Sequence, residues 1–192
     1  MKPQLAVILA AGMGTRLRDS HVGMPKGFLQ LGGKPIIVES IERLRAAGIK
    51  QIIIVTGHLS EFYEALAERD DNIITVHNPK YAESGSMYSL WCAYDRIDGS
   101  FLLLESDLIY EQRALTTLMN GPEEAILLSG KTNAGDEVYV ETEGEFFAGH
   151  LYNMSKDVDA LGATPRGELV GITRISSELS RYMHEYAAME LH

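Results

Sequence analysis

Residues 6–17, AVILAAGMGTRL, run from an unbroken apolar stretch straight into a turn with two glycines, a threonine and an arginine. An apolar run that ends in glycine reads as a buried strand feeding a loop. A short apolar run near an N-terminus also fits a signal peptide, but this one flows into a glycine turn and a charged segment, so the strand is the reading taken. Gly12 and Gly14 permit positive φ and close backbone approach. Successive amides in such a turn form an anion-binding concavity. Thr15 adds a hydroxyl donor, Arg16 a charged fork suited to phosphate oxygens, and Lys26, in MPKGF, a second cation acting as a point charge. The other reading of Arg16, Arg18 and Lys26 is a solvated basic loop.

Two familiar phosphate loops do not match. The dinucleotide fingerprint needs a third glycine or alanine where this chain has Leu17, and an acid closing the second strand, which here ends VTGH. The full Walker pattern, G-x-x-x-x-G-K-[ST], is absent. What remains is a glycine loop with its own arginine and a lysine ten residues later, a set suited to gripping a triphosphate.

Downstream, strands and helices alternate. QIIIVTG (51–57), NIITVHN (72–78) and SFLLLESD (100–107) read as strands. IIVESIERLRAAG, a segment from Ser60 (as cap) to about Arg69, SMYSLWCAYDRI (86–97) and EQRALTTLMN read as helices. From residue 121 the pattern changes: AILLSG (125–130), EVYVET (137–142), EFFAGHLY (145–152) and GELVGITRIS (167–176) read as strands, with a tight hairpin turn at Glu143-Gly144 and a helix at the end. The expected fold is α/β: a Rossmann-like, mostly parallel sheet flanked by helices, with a smaller antiparallel β addition in the second half. The pattern gives one domain over 1–192, alternating to residue 120 and strand-rich from 121. Ligands of such sheets bind beyond the strands' carboxyl ends, where LAAGMGTR and ESD both fall. Asp107 there could hold magnesium, which favours one or two carboxylates plus phosphate oxygens, or cap the helix that follows.

The composition sets limits. The chain has 192 residues, 45% hydrophobic, with a net charge of −10. That charge argues against nucleic acid or an anionic membrane as partner, and no apolar run reaches the ~18 residues of a membrane span. Cys92 is the only cysteine, so no internal disulfide forms and a cytoplasmic location is the expectation. Nothing in the sequence fixes the oligomeric state.

LAAGMGTRL…MPKGFLQLGGKPII resembles the signature of nucleotidyltransferases that join a nucleoside triphosphate to a phosphorylated partner: L-A-A-G-x-G-[ST]-R-[LFM], then P-K, then L-G-x-K-P. The resemblance continues through VTGH, NPKYAESGSMYSL and LLLESD, and implies the nucleotide-diphospho-sugar transferase type of fold. It implies that Leu9, Ala11, Gly12, Met13, Gly14 and Thr15 wrap the triphosphate and read part of the base, with Gly85, Ser86 and Tyr88 near the base. Arg16 and Lys26 would be the catalytic cations, and Asp107 the Mg2+ ligand. MPKGFL, LLLESDL and SGKTNAGDEVYVE look most like enzymes that activate 2-aminoethylphosphonate with CTP, then like phosphocholine cytidylyltransferases. A sugar-1-phosphate nucleotidyltransferase and a non-catalytic regulatory relative are the alternatives. A zwitterionic acceptor needs donors for its anion and an acid for its amine. Ser129, Lys131 and Thr132 are candidates for the first, Asp136, Glu137 and Glu168 for the second. A choline group would instead use an aromatic cage, to which Trp91 and Tyr139 could contribute, although Trp91 also reads as core. The resemblance further implies a second magnesium-binding acid in a C-terminal segment that has no match here.

Overall fold

The computed structural model describes residues 2–14, 23–133, 135, 137–144 and 149–190. The chain divides into two compact units: residues 1–125 with 173–192, and residues 126–172.

The first unit is built on four parallel strands in the order β5-β4-β1-β6: β1 (Leu5–Ala10), β4 (Gln51–Thr56), β5 (Ile73–His77) and β6 (Phe101–Glu105). Short strands β2 (Gln30–Leu31) and β3 (Lys34–Pro35) pair antiparallel beside it. The parallel strands read as continuous apolar runs because helices cover both faces. Ala6, Val7, Ile8, Ile52, Ile53 and Ile54 are all fully buried. The helices are α1 (Ile36–Ala46), α2 (Glu61–Ala67), α3 (Ser86–Ala93), α4 (Gln112–Asn120) and α5 (Ser177–Glu190). Pro35 precedes α1, as a residue without an amide hydrogen can at a helix start. Ser60 does not cap α2 with its side chain, contrary to expectation; its backbone is already helical there, and a side-chain cap needs extended geometry. The 86–97 segment is α-helical only to Ala93 and closes with a tighter turn, Tyr94–Arg96. Arg174, almost fully buried, donates to the carbonyls of Leu118 (3.2 Å) and Gly121 (2.9 Å), a cation on the orphan carbonyls that end α4. No helix among the described residues is long and apolar enough to cross a membrane.

The second unit is antiparallel. β8 (Tyr139–Glu143) pairs with β9 (His150–Ser155) and with β10 (Gly167–Ile175), and β7 (Ala125–Ser129) pairs with β10. The last residues of β10 carry the chain back into the first unit. Glu143 pairs with His150, which leaves residues 144–149 between the strands. The connection is therefore longer than the tight Glu143-Gly144 turn expected, although Gly144 does take positive φ, 94°.

Candidate functional site

The parallel register brings four strand ends to one edge. Ala10 lies opposite Thr56, Thr56 opposite His77, and Leu9 opposite Glu105. The loops that leave those ends are thereby neighbours: 11–14, 57–60, 78–85 and 106–111. At that edge lies a cavity of about 170 Å3 lined by Leu9, Ala11, Gly12, Tyr81, Ser84, Gly85, Ser86, Ser89 and Glu105.

Each wall has a local cause. The glycine loop is backed by Gly57. A Cβ on that residue would lie 2.7 Å from the Ala11 carbonyl oxygen and 2.4 Å from Tyr81 Cβ, so only glycine lets the loops pack this closely. The opposite wall hangs on Asn78, which is fully buried. Its Nδ2 donates to Ser84 Oγ (3.0 Å) and Ser89 Oγ (2.9 Å), its Oδ1 accepts from the Lys80 amide (2.8 Å), and its amide donates to the Thr56 carbonyl (2.8 Å). The side-chain amide of a buried Asn needs such partners, and these fix the loop ahead of α3. The floor is Glu105. Burial, with the Asp107 charge adding to it and Lys26 offsetting, raises its carboxyl from 4.5 to about 7.

Beside Glu105, Lys26 Nζ lies 3.5 Å from Asp107 Oδ2, both side chains about one-third exposed. Lys26 opens a tight turn, Lys26–Phe28, after Pro25. Gly14 takes φ +60°, and a Cβ there would meet Lys26 Cγ at 3.5 Å, so the lysine stem runs along the glycine loop. Asp107 does not cap α4, whose N-cap position is Glu111. Among the described residues no group of three or more His, Cys, Asp or Glu could enclose a metal ion. The donors at hand, Asp107 with Glu105 two residues before it, fit a hard cation that takes the rest of its shell from phosphate oxygens.

The structure thus gathers Leu9, Ala11, Gly12, Gly85 and Ser86 around one cavity, with Gly14, Lys26 and Asp107 nearby. Met13 and Tyr88 do not line that cavity; the Tyr88 ring carries Lys80 Nζ at 5.3 Å. Thr15 and Arg16 lie outside the described residues, as does Asp136. In the second unit, Thr132 donates to the Glu168 carboxylate through its amide (2.8 Å) and its hydroxyl (2.5 Å), and Ser129 Oγ reaches the Glu168 carbonyl at 3.4 Å. Lys131 is exposed, and Glu137 accepts from the Gly135 amide at 3.0 Å. Trp91 stacks with His184 of α5 and packs near Tyr88, within the first unit. The sequence reading assigned no role to Gly57, Asn78 and Glu105. Only Glu105 carried a signal, as the one charge ending the run LLLE.

Residues 6–157 match the MobA-like NTP transferase domain. The chain belongs to this family. It is 29% identical over 191 residues to a 2-aminoethylphosphonate cytidylyltransferase of Lancefieldella rimae, covering 94% of this chain and 72% of that one. It is 37% identical over 106 residues to a choline-phosphate cytidylyltransferase of Streptococcus pneumoniae, over 55% of this chain and 46% of that protein, so it spans about half the length of that relative. Its fold is similar to that of an inositol-1-phosphate CTP transferase from T. maritima, with a TM-score of 0.80 at 17% identity, covering 99% of this chain and 83% of the other.

Proposed function

We propose that the protein transfers a cytidylyl group from CTP to 2-aminoethylphosphonate, giving CMP-2-aminoethylphosphonate and pyrophosphate. The observation that carries this reading is the Lys26–Asp107 pair at 3.5 Å beside a cavity of about 170 Å3. That volume is below the ~300 Å3 of small ligand pockets. It suits one heteroaromatic ring, with the remainder of a nucleotide extending past the cation and the acid. The near-full-length similarity to a 2-aminoethylphosphonate cytidylyltransferase supports the acceptor.

In this reading a phosphonate oxygen attacks the α-phosphorus in line. A P–O bond forms there as the bond to the β-phosphate's bridging oxygen breaks, and pyrophosphate leaves with that electron pair. No side-chain nucleophile is needed, because the ionised phosphonate is already nucleophilic. Lys26 neutralises charge that builds on the phosphates, and Arg16 is proposed to share that work. Asp107, with Glu105 behind it, would hold Mg2+, which when bound neutralises and orients phosphate oxygens. The loops anchored by Gly57 and Asn78 hold the base, so much of the rate would come from positioning.

Phosphocholine is the second reading, favoured by the higher identity to the choline-phosphate enzyme. Against it, Trp91 is engaged by His184 and Tyr88 rather than open for a cation cage.

The test is pyrophosphate release with Mg2+, crossing CTP, UTP, GTP and ATP with 2-aminoethylphosphonate, phosphocholine, phosphoethanolamine and glucose-1-phosphate. Release is expected with CTP and 2-aminoethylphosphonate. Preference for phosphocholine would select the second reading; release only with a sugar phosphate, or with no pair, would overturn both. Lys26→Ala is expected to lower kcat by about 10²- to 10³-fold, the scale for losing one charge-stabilising donor, with an unchanged circular dichroism spectrum. Near-normal turnover would remove Lys26 from the mechanism.

A further inference from the structure

An exposed pair such as Lys26–Asp107 is not held by its own attraction. At 3.5 Å, with both side chains about a third open to solvent, such pairs contribute little. Something else must set the gap between the two segments, and the candidate is the side chain beneath them. Tyr63, on α2, is 1% exposed. Its ring meets Phe28 edge-on with centroids 5.2 Å apart. A hydroxyl at that depth needs partners; Gly27 packs directly against it, and hydrogen bonding from the Ser106 side chain and the Gly27 backbone draws the phenol's pKa down against the upward pull of burial. Ser106 immediately precedes Asp107, and Gly27 immediately follows Lys26. The junction has no slack. A Cβ on Gly27 would lie 2.9 Å from the Ser106 carbonyl oxygen and 3.0 Å from the Tyr63 hydroxyl. Ser106 is tied in turn to the strand that feeds the glycine loop, its amide donating to the Leu9 carbonyl at 3.1 Å.

We infer that Tyr63 is a positioning residue whose buried hydroxyl joins the Ser106 side chain to the Gly27 backbone and so fixes the spacing of Lys26 and Asp107. Bulk alone does not account for a tyrosine here: phenylalanine would pack against Phe28 equally well and would spare the burial of a hydroxyl. Burial pushes the phenol's pKa up, and the Asp107 charge adds to that, so the group stays a neutral hydroxyl able to both donate and accept. The consequence for catalysis rests on the cytidylyltransferase reading; the consequence for Lys26 itself does not.

The experiment compares full-length Tyr63→Phe, Ser106→Ala and the double variant with the wild type. Pyrophosphate release is expected to show kcat reduced at least tenfold in each single variant, with KM for CTP within threefold. The double variant is expected to fall no further than the worse single, because both remove one hydrogen bond. Independently of turnover, acylation of Lys26 by an amine-reactive reagent, followed by peptide mass spectrometry against exposed Lys50, is expected to change at least threefold in Tyr63→Phe. Ser106→Ala leaves the ring in place and keeps the test open should Tyr63→Phe fold poorly. A kcat within twofold of wild type in the folded variants, additive losses in the double variant, or unchanged Lys26 acylation would overturn the inference. If the wild type transfers nothing, the activity reading fails, and the acylation result alone decides the role of Tyr63.

Discussion

The two units bury different things. In the first, the interior is mostly aliphatic, with Tyr63 and Phe101 among it, and buried polar groups such as Thr56, Asn78 and Ser89 lie towards the sheet's carboxyl edge. In the second, the buried described residues are Val140, Glu141, Glu168 and Ile172, two of them glutamates. Glu141 accepts from the Gly162 amide at 3.0 Å, and Glu168 from Thr132. The first unit thus holds its loops by close packing with several bonds per anchor, whereas in the second the described segments at Thr132 and Gly162 each bond to a buried carboxylate. Loops with few buried contacts open at low free-energy cost. In the proposed reading, the difference would let the wall that takes the nucleotide stay rigid while the candidate acceptor contacts stay adjustable.

The strongest way to break that contrast is Gly57→Ala. The added methyl must displace either the Ala11 carbonyl or Tyr81, and overpacking of this kind costs about 1–3 kcal/mol. The expected outcome is a lower thermal midpoint together with a KM for CTP raised at least tenfold and an unchanged KM for acceptor. A variant that binds CTP normally would mean the nucleotide wall yields as readily as the second unit's loops.

The same contrast explains what the sequence could reveal. LAVILA, QIIIVT and FLLLE are apolar because they are covered on both faces, so their identity as central strands was legible from composition alone. The glycine loop, Lys26 and Asp107 were legible because their spacing is local. Asn78, Gly57 and Tyr63 were not. Each works through partners supplied by other elements or loops, as Asn78 does through Thr56, Ser84 and Ser89, and neither propensity nor period records such a contact. Ser60 misled because a capping residue type was read without its backbone angle, and the 143–150 connection because glycine signals a turn without its length.

Glu105 sharpens the comparison from the electrostatic side. Its folded-state pKa is raised from 4.5 to about 7, chiefly by burial. The sign follows from linkage: the neutral carboxyl is favoured in the folded state, so stability from this group is full below about pH 4.5 and is lost as pH rises through about 7. At 1.36 kcal/mol per pKa unit the loss is at most roughly 3 kcal/mol. Thermal midpoints of wild type and Glu105→Gln, measured in a chelator from pH 4.5 to 8, are expected to diverge with rising pH, the variant being the more stable above pH 7. Parallel profiles would show that the carboxyl ionises there without penalty, and that the first unit's edge is wetter than its packing implies.

The smallest expected effect lies in the second unit. Thr132 is itself exposed, yet its hydroxyl donates to the buried Glu168 carboxylate at 2.5 Å while its amide donates at 2.8 Å. Thr132→Val keeps the shape and the amide bond and removes only the hydroxyl donor. A hydrogen bond to a charged group is worth about 1.5–3 kcal/mol, but solvent can replace this donor, so the cost is expected at the low end, near 1 kcal/mol. If the loop at 129–132 presents donors to the acceptor's phosphonate, loosening it should raise the acceptor's KM about threefold to tenfold and leave KM for CTP unchanged, the mirror image of Gly57→Ala. An equal rise in both would mean that the two units do not divide the substrates between them. An unchanged acceptor KM would mean that Glu168 anchors a loop with no part in binding, and would move the search for the ammonium partner to Glu137 and Asp136.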